Sequence, residues 1–534
     1  MRIIAQILLA FRGVLMQDEV VLTSVQTIHQ LITEHIAISG DQSLNPLLNI
    51  HELPALKAQL APGTSKQAMG VSTFIYFSAN FAVMTTPVIA AMPKLSPALK
   101  NLLVGMSAIS ATLTMPWFGR RVDLSGGRRE VVMLRAASTI GPAIYTALFA
   151  TTDLSNIDSF GFPYASMIVS NALTGLSLST FPMGNNLLYC TALKDAGFTY
   201  SLFAGVSNMA PGVALLFYQA TLSQLQPAYI YAISTTISAL GGIAAYYGYV
   251  VSPFHALINR GLPEDKAKKI AELLGQEKFP AGANQPFWPA IWATMKDYRA
   301  TMFSFMGMAT SGGNYAFNLS LPFTLKNLMP DLSSQQTVVY TACISLGATT
   351  FRVVSGKLMD KFDSSKGAYS YYASAVMMIA GSSMLLFNRP LPPSLSYVLS
   401  ASTIMALGYA SGAAATFKNI AAASEKEKNL KPYDAGKMNV LVSTLGQSTG
   451  TWGPWYFALI AFLNEGKPKE NNVDTFYLSF TLSVLATLLL LINEYRKRAP
   501  TSVCTSWAGC FQRKQTTDDA IELDSSLNAK LIPS

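Results

Sequence analysis

Charge is scarce in this chain, and acidic charge inside its apolar runs is scarcer still. Only 13% of the 534 residues are charged, about half the share found in an average soluble protein. No aspartate or glutamate falls well inside a long apolar run; Asp123, Asp195, Asp297, Asp360, Asp434 and Glu494 all sit at ends. The four cysteines (Cys190, Cys343, Cys504, Cys510) show no metal-ligand spacing, and three of the four histidines (His29, His35, His51) precede the first long apolar run. No HExxH, P-loop, GxSxG or CxxC pattern is present, so hydrolytic, nucleotide-dependent and metal chemistry have no residue set to work with. The expectation is a non-enzyme without cofactor or metal. A net charge of +9 would suit nucleic acid, but the basic residues lie in short loops between apolar runs, so no such partner is expected.

What the chain has instead is apolar length. A bilayer core about 30 Å thick takes roughly 20 apolar residues per helix. Twelve runs meet that need: 70–92, 100–118, 130–150, 162–190, 198–220, 228–251, 299–324, 336–357, 368–388, 395–421, 436–462 and 474–494. Lysine and arginine set the orientation. Of 38, 31 fall in the N-terminal segment, the loops after even-numbered spans and the segment after span 12, with Arg135, Arg299, Lys357, Lys418 and Lys437 counted with their loops. Six fall after odd-numbered spans, and Arg352 lies inside span 8. Both termini are therefore expected on the cytoplasmic side. The predicted organisation is an N-terminal extension (1–69), a six-helix half (70–251), a cytoplasmic linker (252–298), a second six-helix half (299–494) and a polar, disordered tail (495–534).

The start, "MRIIAQILLAFRGVLM", has no clear small-residue cleavage site and reads as an interfacial or cytoplasmic helix, followed by another around "TSVQTIHQLITEHIAI". The linker holds "LPEDKAKKIAELLGQEKFP", an amphipathic cytoplasmic helix. Cys504 and Cys510 stand just past the membrane edge, where acylated residues and free thiols both fit. With no transit, retention or lipid-anchor signal evident, the expected location is a bacterial inner membrane, crossed many times by a monomer.

Two stretches repeat. "GRRVD" (Gly119–Asp123) ends span 2 and "GKLMD" (Gly356–Asp360) ends span 8, 237 residues further on. Matched positions in two six-helix halves are an internal repeat typical of transporters. The glycine permits close helix approach, and the aspartate can cap a neighbouring helix N-terminus. The adjoining arginines, Arg128 and Arg129 among them, can hold the cytoplasmic face or pair with the carboxylate. Such a cluster is expected to act as a gate, closed in one state and open in the other.

These elbows resemble the cytoplasmic loop motif of the major facilitator superfamily. More narrowly, residues 70–495 resemble its nitrate/nitrite porter branch, through "SGGRRE" after span 2, "FAGVSNMAPGV" (203–213), "GYASGAAATFK" (408–418) and "DAGKMNVLVSTLGQSTGTWGP" (434–454). The resemblance implies an all-α membrane fold of twelve transmembrane helices in two halves, with a small solute bound between them. That branch clamps a planar anion between two arginines. Arg352 fits the helix-8 position, but Thr114 or Met115 stands at the helix-2 position. Phe77, Phe181 and Tyr298 resemble the aromatic positions that sandwich the anion, and Met302 stands where a further aromatic belongs. Several signature glycines are replaced, by Ser201, Ser207 and Ala210 in the first and by Val440 and Thr449 in the second.

A charge in the membrane interior is costly, which makes Arg352 a functional-site expectation. Its planar fork suits carboxylate, nitrate, nitrite or phosphate; a structural arginine bonded to carbonyls or snorkelling towards the inner face is the competing reading. Asn80, Asn208, Asn314 and Asn318 can bond solute or neighbouring helices, and "SGGN" (311–314) suggests a break or flexible gate in span 7. Without an embedded carboxylate, exchange or uniport is expected over carboxylate-mediated proton symport. A facilitator for a neutral or cationic solute and a transport-inactive sensor are the alternatives.

Overall fold

The computed structural model describes residues 23–40, 42–60, 65–85, 92–153, 161–190, 196–222, 224–276, 296–387, 394–423 and 476–498, with isolated residues between them. Residues 1–22, nearly all of the expected span 11 with its glycine-rich signature, Asp195, Asp434 and the tail with Cys504 and Cys510 lie outside them. Every regular element among the described residues is a helix.

The first half comprises α3 (Ser65–Val83), α4 (Pro97–Ser125), α5 (Arg128–Thr151), α6 (Phe162–Gly175), α7 (Met183–Cys190), α8 (Ala196–Leu222) and α9 (Pro227–Gly248); α1 (residues 23–39) and α2 (Leu53–Leu60) precede it. The linker carries α10 (Pro253–Ile258) and α11 (Glu264–Leu273). The second half has α12 (Tyr298–Gly307), α13 (Gly313–Leu328), α14 (Ser334–Phe362), α15 (Ala368–Leu386), α16 (Leu395–Ala423) and α17 (Tyr477–Arg498). Seven helices among the described residues are long and apolar enough to cross a membrane. Helix starts follow their capping residues. Ser96 accepts from Leu99 N with Pro97 in the first turn, and Ser333 and Gln336 form a reciprocal capping box at α14.

Two expected spans are interrupted. The run 162–190 folds as α6, a 3₁₀ turn at Leu178–Thr180 and α7, with Pro182 placed where a continuous helix would need its N–H. The run 299–324 contains a π-helical turn at Met308–Gly312 joining α12 to α13. There Thr310 Oγ1 donates to Met306 O at 2.6 Å and lies 3.4 Å from Thr416 Oγ1 of α16. The expected weak point is thus a widened but continuous helix, of the kind often found at functional sites.

The membrane bundle has one large apolar core. A second core lies outside it. Val25, Ile28 and Ile32 of α1 and Leu56 and Leu60 of α2 pack with Phe254 and Leu257 of α10 and Ala267, Ile270 and Leu274 around α11. Lys266 pairs with Glu34 across this contact at 3.5 Å. The extension and the linker, far apart in sequence, thus form one module.

Candidate functional site

The elbows come first because they fix the helices around them. At the first, Gly126 (φ +75°) and Gly127 (φ +70°) are consecutive left-handed residues between α4 and α5. A Cβ there would stand 2.8 Å from Val251 Cγ1 or from Val122 Cγ2 respectively, so side chains are excluded by space as well as by φ. Asp123 is buried; its Oδ1 accepts from Tyr189 OH at 3.3 Å, and its carbonyl lies 3.0 Å from His255 Nε2. A carbonyl only accepts, so Nε2 carries the proton and Nδ1 accepts from Ser252 Oγ at 2.9 Å. Burial holds this imidazole near a pKa of about 4, against the opposing pull of the Asp123 carbonyl. Asn259 donates to Ser125 O, and Tyr249 OH donates to Gly126 O, both at 3.0 Å. The linker module therefore grips the elbow by its backbone. Gly119 is buried in α4; Arg128 donates to Tyr246 O at 2.9 Å and, like Arg129, is exposed; Arg121 pairs with Glu130 at 3.7 Å.

The second elbow has a different set of contacts. Asp360 Oδ2 accepts from Phe198 N, in the first turn of α8, at 2.5 Å, and its Oδ1 pairs with Lys418 of α16 at 3.4 Å. The carboxylate of one half thus sits at a helix N-terminus of the other, where the dipole favours it. Lys418 also donates to Met359 O at 2.7 Å. Asp363, capping α14, accepts from Ser365 and Ser370; burial pushes its pKa up, but these bonds together hold it below the ordinary carboxylate value. Gly356 is buried in α14.

Between the halves, α8 and α14 form the most extensive helix pair among the described residues. Gly205 and Gly212 make it possible: a Cβ on Gly205 would lie 2.5 Å from Val353 Cγ2, and one on Gly212 would lie 2.6 Å from Leu346 Cγ. Arg352 stands on this seam, 2% exposed, with no hydrogen bond to its guanidinium among the described residues; its Nε is buried without an acceptor. Tyr76 of α3 lies close enough to interact with its charge. Tyr76 in turn packs against Phe181 (ring centroids 5.3 Å) and Phe203 (5.7 Å), and Phe181 meets Phe417 of α16 at 5.7 Å. A ring cluster drawn from both halves therefore adjoins Arg352 at the seam.

The expected site residues do not all fall there. Phe181 does. Asn208 is half-buried three residues from Gly205, on the same side of α8. Phe77 is half-buried, one helical step round from Tyr76. Asn314 is buried in the first turn of α13 and Asn318 one turn later. Asn80 donates to Tyr76 O at 3.1 Å. Tyr298 is engaged elsewhere, donating to Asn493 Oδ1 of α17 at 2.9 Å. At the helix-2 position Met115 is fully buried, and Thr114 donates to Ser110 O in its own helix.

One assignment is corrected. Arg135 belongs to no loop: it lies inside α5 and is fully buried. Its Nη2 donates to Ser78 Oγ and to Ser238 O, both at 2.9 Å, while Nε and Nη1 have no acceptor among the described residues. The apolar residues on both sides of it, "VVMLRAAS", were the available signal. A groove of about 490 Å³ between α14 and α16, lined by Cys343, Gly347, Thr350, Phe351, Thr403 and Leu407 among others, does not include Arg352. Cys343, Gly347 and Thr350 are exposed, placing it on the outer face of the bundle.

A bundle of membrane-length helices in two halves, with a buried cation on the seam that has no partner among the described residues, is the architecture of a membrane carrier. The family model of the Major Facilitator Superfamily matches residues 68–454, and the chain belongs to that family. It is a secondary transporter of the alternating-access kind, with the twelve-helix fold, and not an enzyme. Among solved structures it is similar to the xylose transporter XylE from E. coli in a partially occluded inward-open conformation, at TM-score 0.55 and 14% identity, covering 80% of this chain and 97% of that one. It is also similar to the human organic anion transporter MFSD10 (TETRAN), at TM-score 0.53 and 12% identity, covering 80% and 100%. These likenesses concern the fold. No curated protein sequence matches the chain.

Proposed function

We propose that the chain carries a small anion, inorganic like nitrate or nitrite or a small carboxylate, bound at Arg352 between the halves. The observation behind this is the buried guanidinium with no acceptor among the described residues, on the seam where the halves meet. A charge so placed is stabilised by a counter-charge, and an arriving anion supplies one. Asn208, Asn314, Phe77 and Phe181 surround the same path in this reading, and Tyr298 braces its helix against α17. The elbows at Gly119–Asp123 and Gly356–Asp360, with Arg128 and Arg129, gate the cytoplasmic side. The resemblance to nitrate/nitrite porters supports the anion, and the missing second arginine favours a single charge. No described carboxylate lies deep in a span, which favours exchange or uniport over carboxylate-mediated symport. The protein works as a monomer with both termini cytoplasmic, in a bacterial inner membrane.

A neutral solute is the reading to set against this one, because XylE is a xylose transporter and Arg352 would then only brace α14. Uptake into proteoliposomes separates the two. Counterflow of a labelled anion panel is expected with the wild type and lost in Arg352→Gln that still elutes as a folded species. Uptake of a neutral solute surviving Arg352→Gln would overturn the anion.

A further inference from the structure

Resting on the anion reading, we propose that the favoured substrate is an organic monoanion with a flat apolar body, its charged head on Arg352 and its body received among Tyr76, Phe181, Phe203 and Phe417. The head has one buried cation to meet. Among the described residues Tyr76 is the group whose charge interacts with Arg352, and Met115 and Thr114 stand at the helix-2 position where the nitrate/nitrite porter branch carries its second arginine. One guanidinium matches one carboxylate, bidentate and planar.

The body is the newer part of the argument. Four rings lie within about 6 Å of one another in a chain: Phe417 to Phe181 at 5.7 Å, Phe181 to Tyr76 at 5.3 Å, and Tyr76 stacked on Phe203 at 5.7 Å with an interplanar angle of 27°. An inorganic anion has no apolar surface to place against them. A flat ring does, and stacked or edge-on contact adds to its burial. The cluster also crosses the seam: Phe181 and Phe203 belong to the first half and Phe417 to the second. A flat body stacked between two rings needs their centroids about 7 Å apart, wider than the present 5.7 Å. Seating the substrate therefore requires Phe181 and Phe417, one from each half, to part.

The test uses the purified full chain and a ligand series that changes one feature at a time. Benzoate, phenylacetate and nicotinate carry both features; acetate and nitrate carry only charge; benzamide carries only the ring. Affinity is read by thermal stabilisation and by competition in proteoliposome counterflow. At least one aromatic carboxylate is expected to bind about tenfold more tightly than acetate or nitrate, with benzamide weaker than either anion. In Phe181→Leu the affinity for aromatic carboxylates should fall by more than that for acetate, and the melting temperature of the unliganded variant shows that it is folded. If acetate or nitrate binds as well as every aromatic carboxylate, the ring proposal is overturned and the anion reading stands. If benzamide binds as well as benzoate, or Arg352→Gln leaves benzoate affinity unchanged, the anion reading falls. Binding by none of the six overturns both.

Discussion

Each half of the molecule buries an arginine within a helix long enough to span the membrane, and the two are held in opposite ways. Arg135, in the first half, is tied by Nη2 to Ser78 of α3 and Ser238 of α9, inside its own six-helix unit. Arg352, in the second, stands where the units meet and has no hydrogen bond to its guanidinium among the described residues. The elbows divide the same way. The first is gripped by the linker through His255 and Asn259 and by Tyr249 at the end of α9, whereas the second reaches across the seam to Phe198 N. The first half is braced within itself, and the second makes the contacts that moving halves must break. A buried cation signals function by where it stands and what it lacks, not by burial alone.

The sharpest way to break this comparison is to neutralise the two arginines in parallel. Arg352→Met is expected to lower anion uptake by about tenfold to a hundredfold, the worth of a charged hydrogen bond or two. Arg135→Met should leave uptake within about twofold. Neither should lower the melting temperature much, because a methionine of similar length replaces a buried charge with no carboxylate partner. Loss of uptake in a stable Arg135→Met would put the two arginines in one class.

A pH series examines the brace. Since the docked imidazole of His255 titrates near 4 and a free one near 6.5, the released form binds the proton at the higher pH. The docked state's stability is therefore complete above about pH 6.5 and falls as the pH drops towards 4, by about 3 kcal/mol in all. Thermal unfolding of wild type and His255→Gln between pH 7.5 and 4.5 should show a steeper decline in the wild type; parallel curves would remove His255 from the brace.

Smaller effects separate the elbows. Asp360→Asn weakens a charge-assisted contact across the seam by about 1–2 kcal/mol. It should widen the distance between spin labels placed at the adjoining ends of α8 and α14. Asp123→Asn should leave that distance unchanged, and equal widening in both variants would erase the distinction between brace and latch. Least of all, Glu130→Gln should cost less than about 1 kcal/mol, because its partner Arg121 is 49% exposed; a larger shift in melting temperature would show that the pair matters beyond the surface.

Apolar length and the repeated GxxxD spacing made the bundle and its two halves legible in the sequence, since both follow from the bilayer and from internal duplication. Arg352 was legible for the same reason: one charge in a long apolar run. Arg135 was not, because Arg128 and Arg129 lie one to two turns before it and drew it into their loop. The ring cluster was half legible. Phe181 was named, but Tyr76 rather than its neighbour Phe77 meets Arg352, a choice of helix face that one residue of register decides. Phe203 joins through the packing of α8 on α3 within the first half, and Phe417 joins only across the seam; no local pattern carries either. The π-helical turn at Met308–Gly312 was visible only as a weakness in the run.

The shared core of the extension and the linker also sets an order of events during synthesis. The apolar faces of α1 and α2 leave the ribosome first, yet their partners Phe254, Leu257 and Ile270 follow roughly two hundred residues later, after the six spans of the first half. At 5–20 residues per second this is a wait of roughly 10–40 s. During that interval Val25, Ile28, Ile32, Leu56 and Leu60 need a chaperone or the membrane surface to cover them. The module can close only once residues 254–274 have been made, so its docking on the elbow follows synthesis of the whole first half.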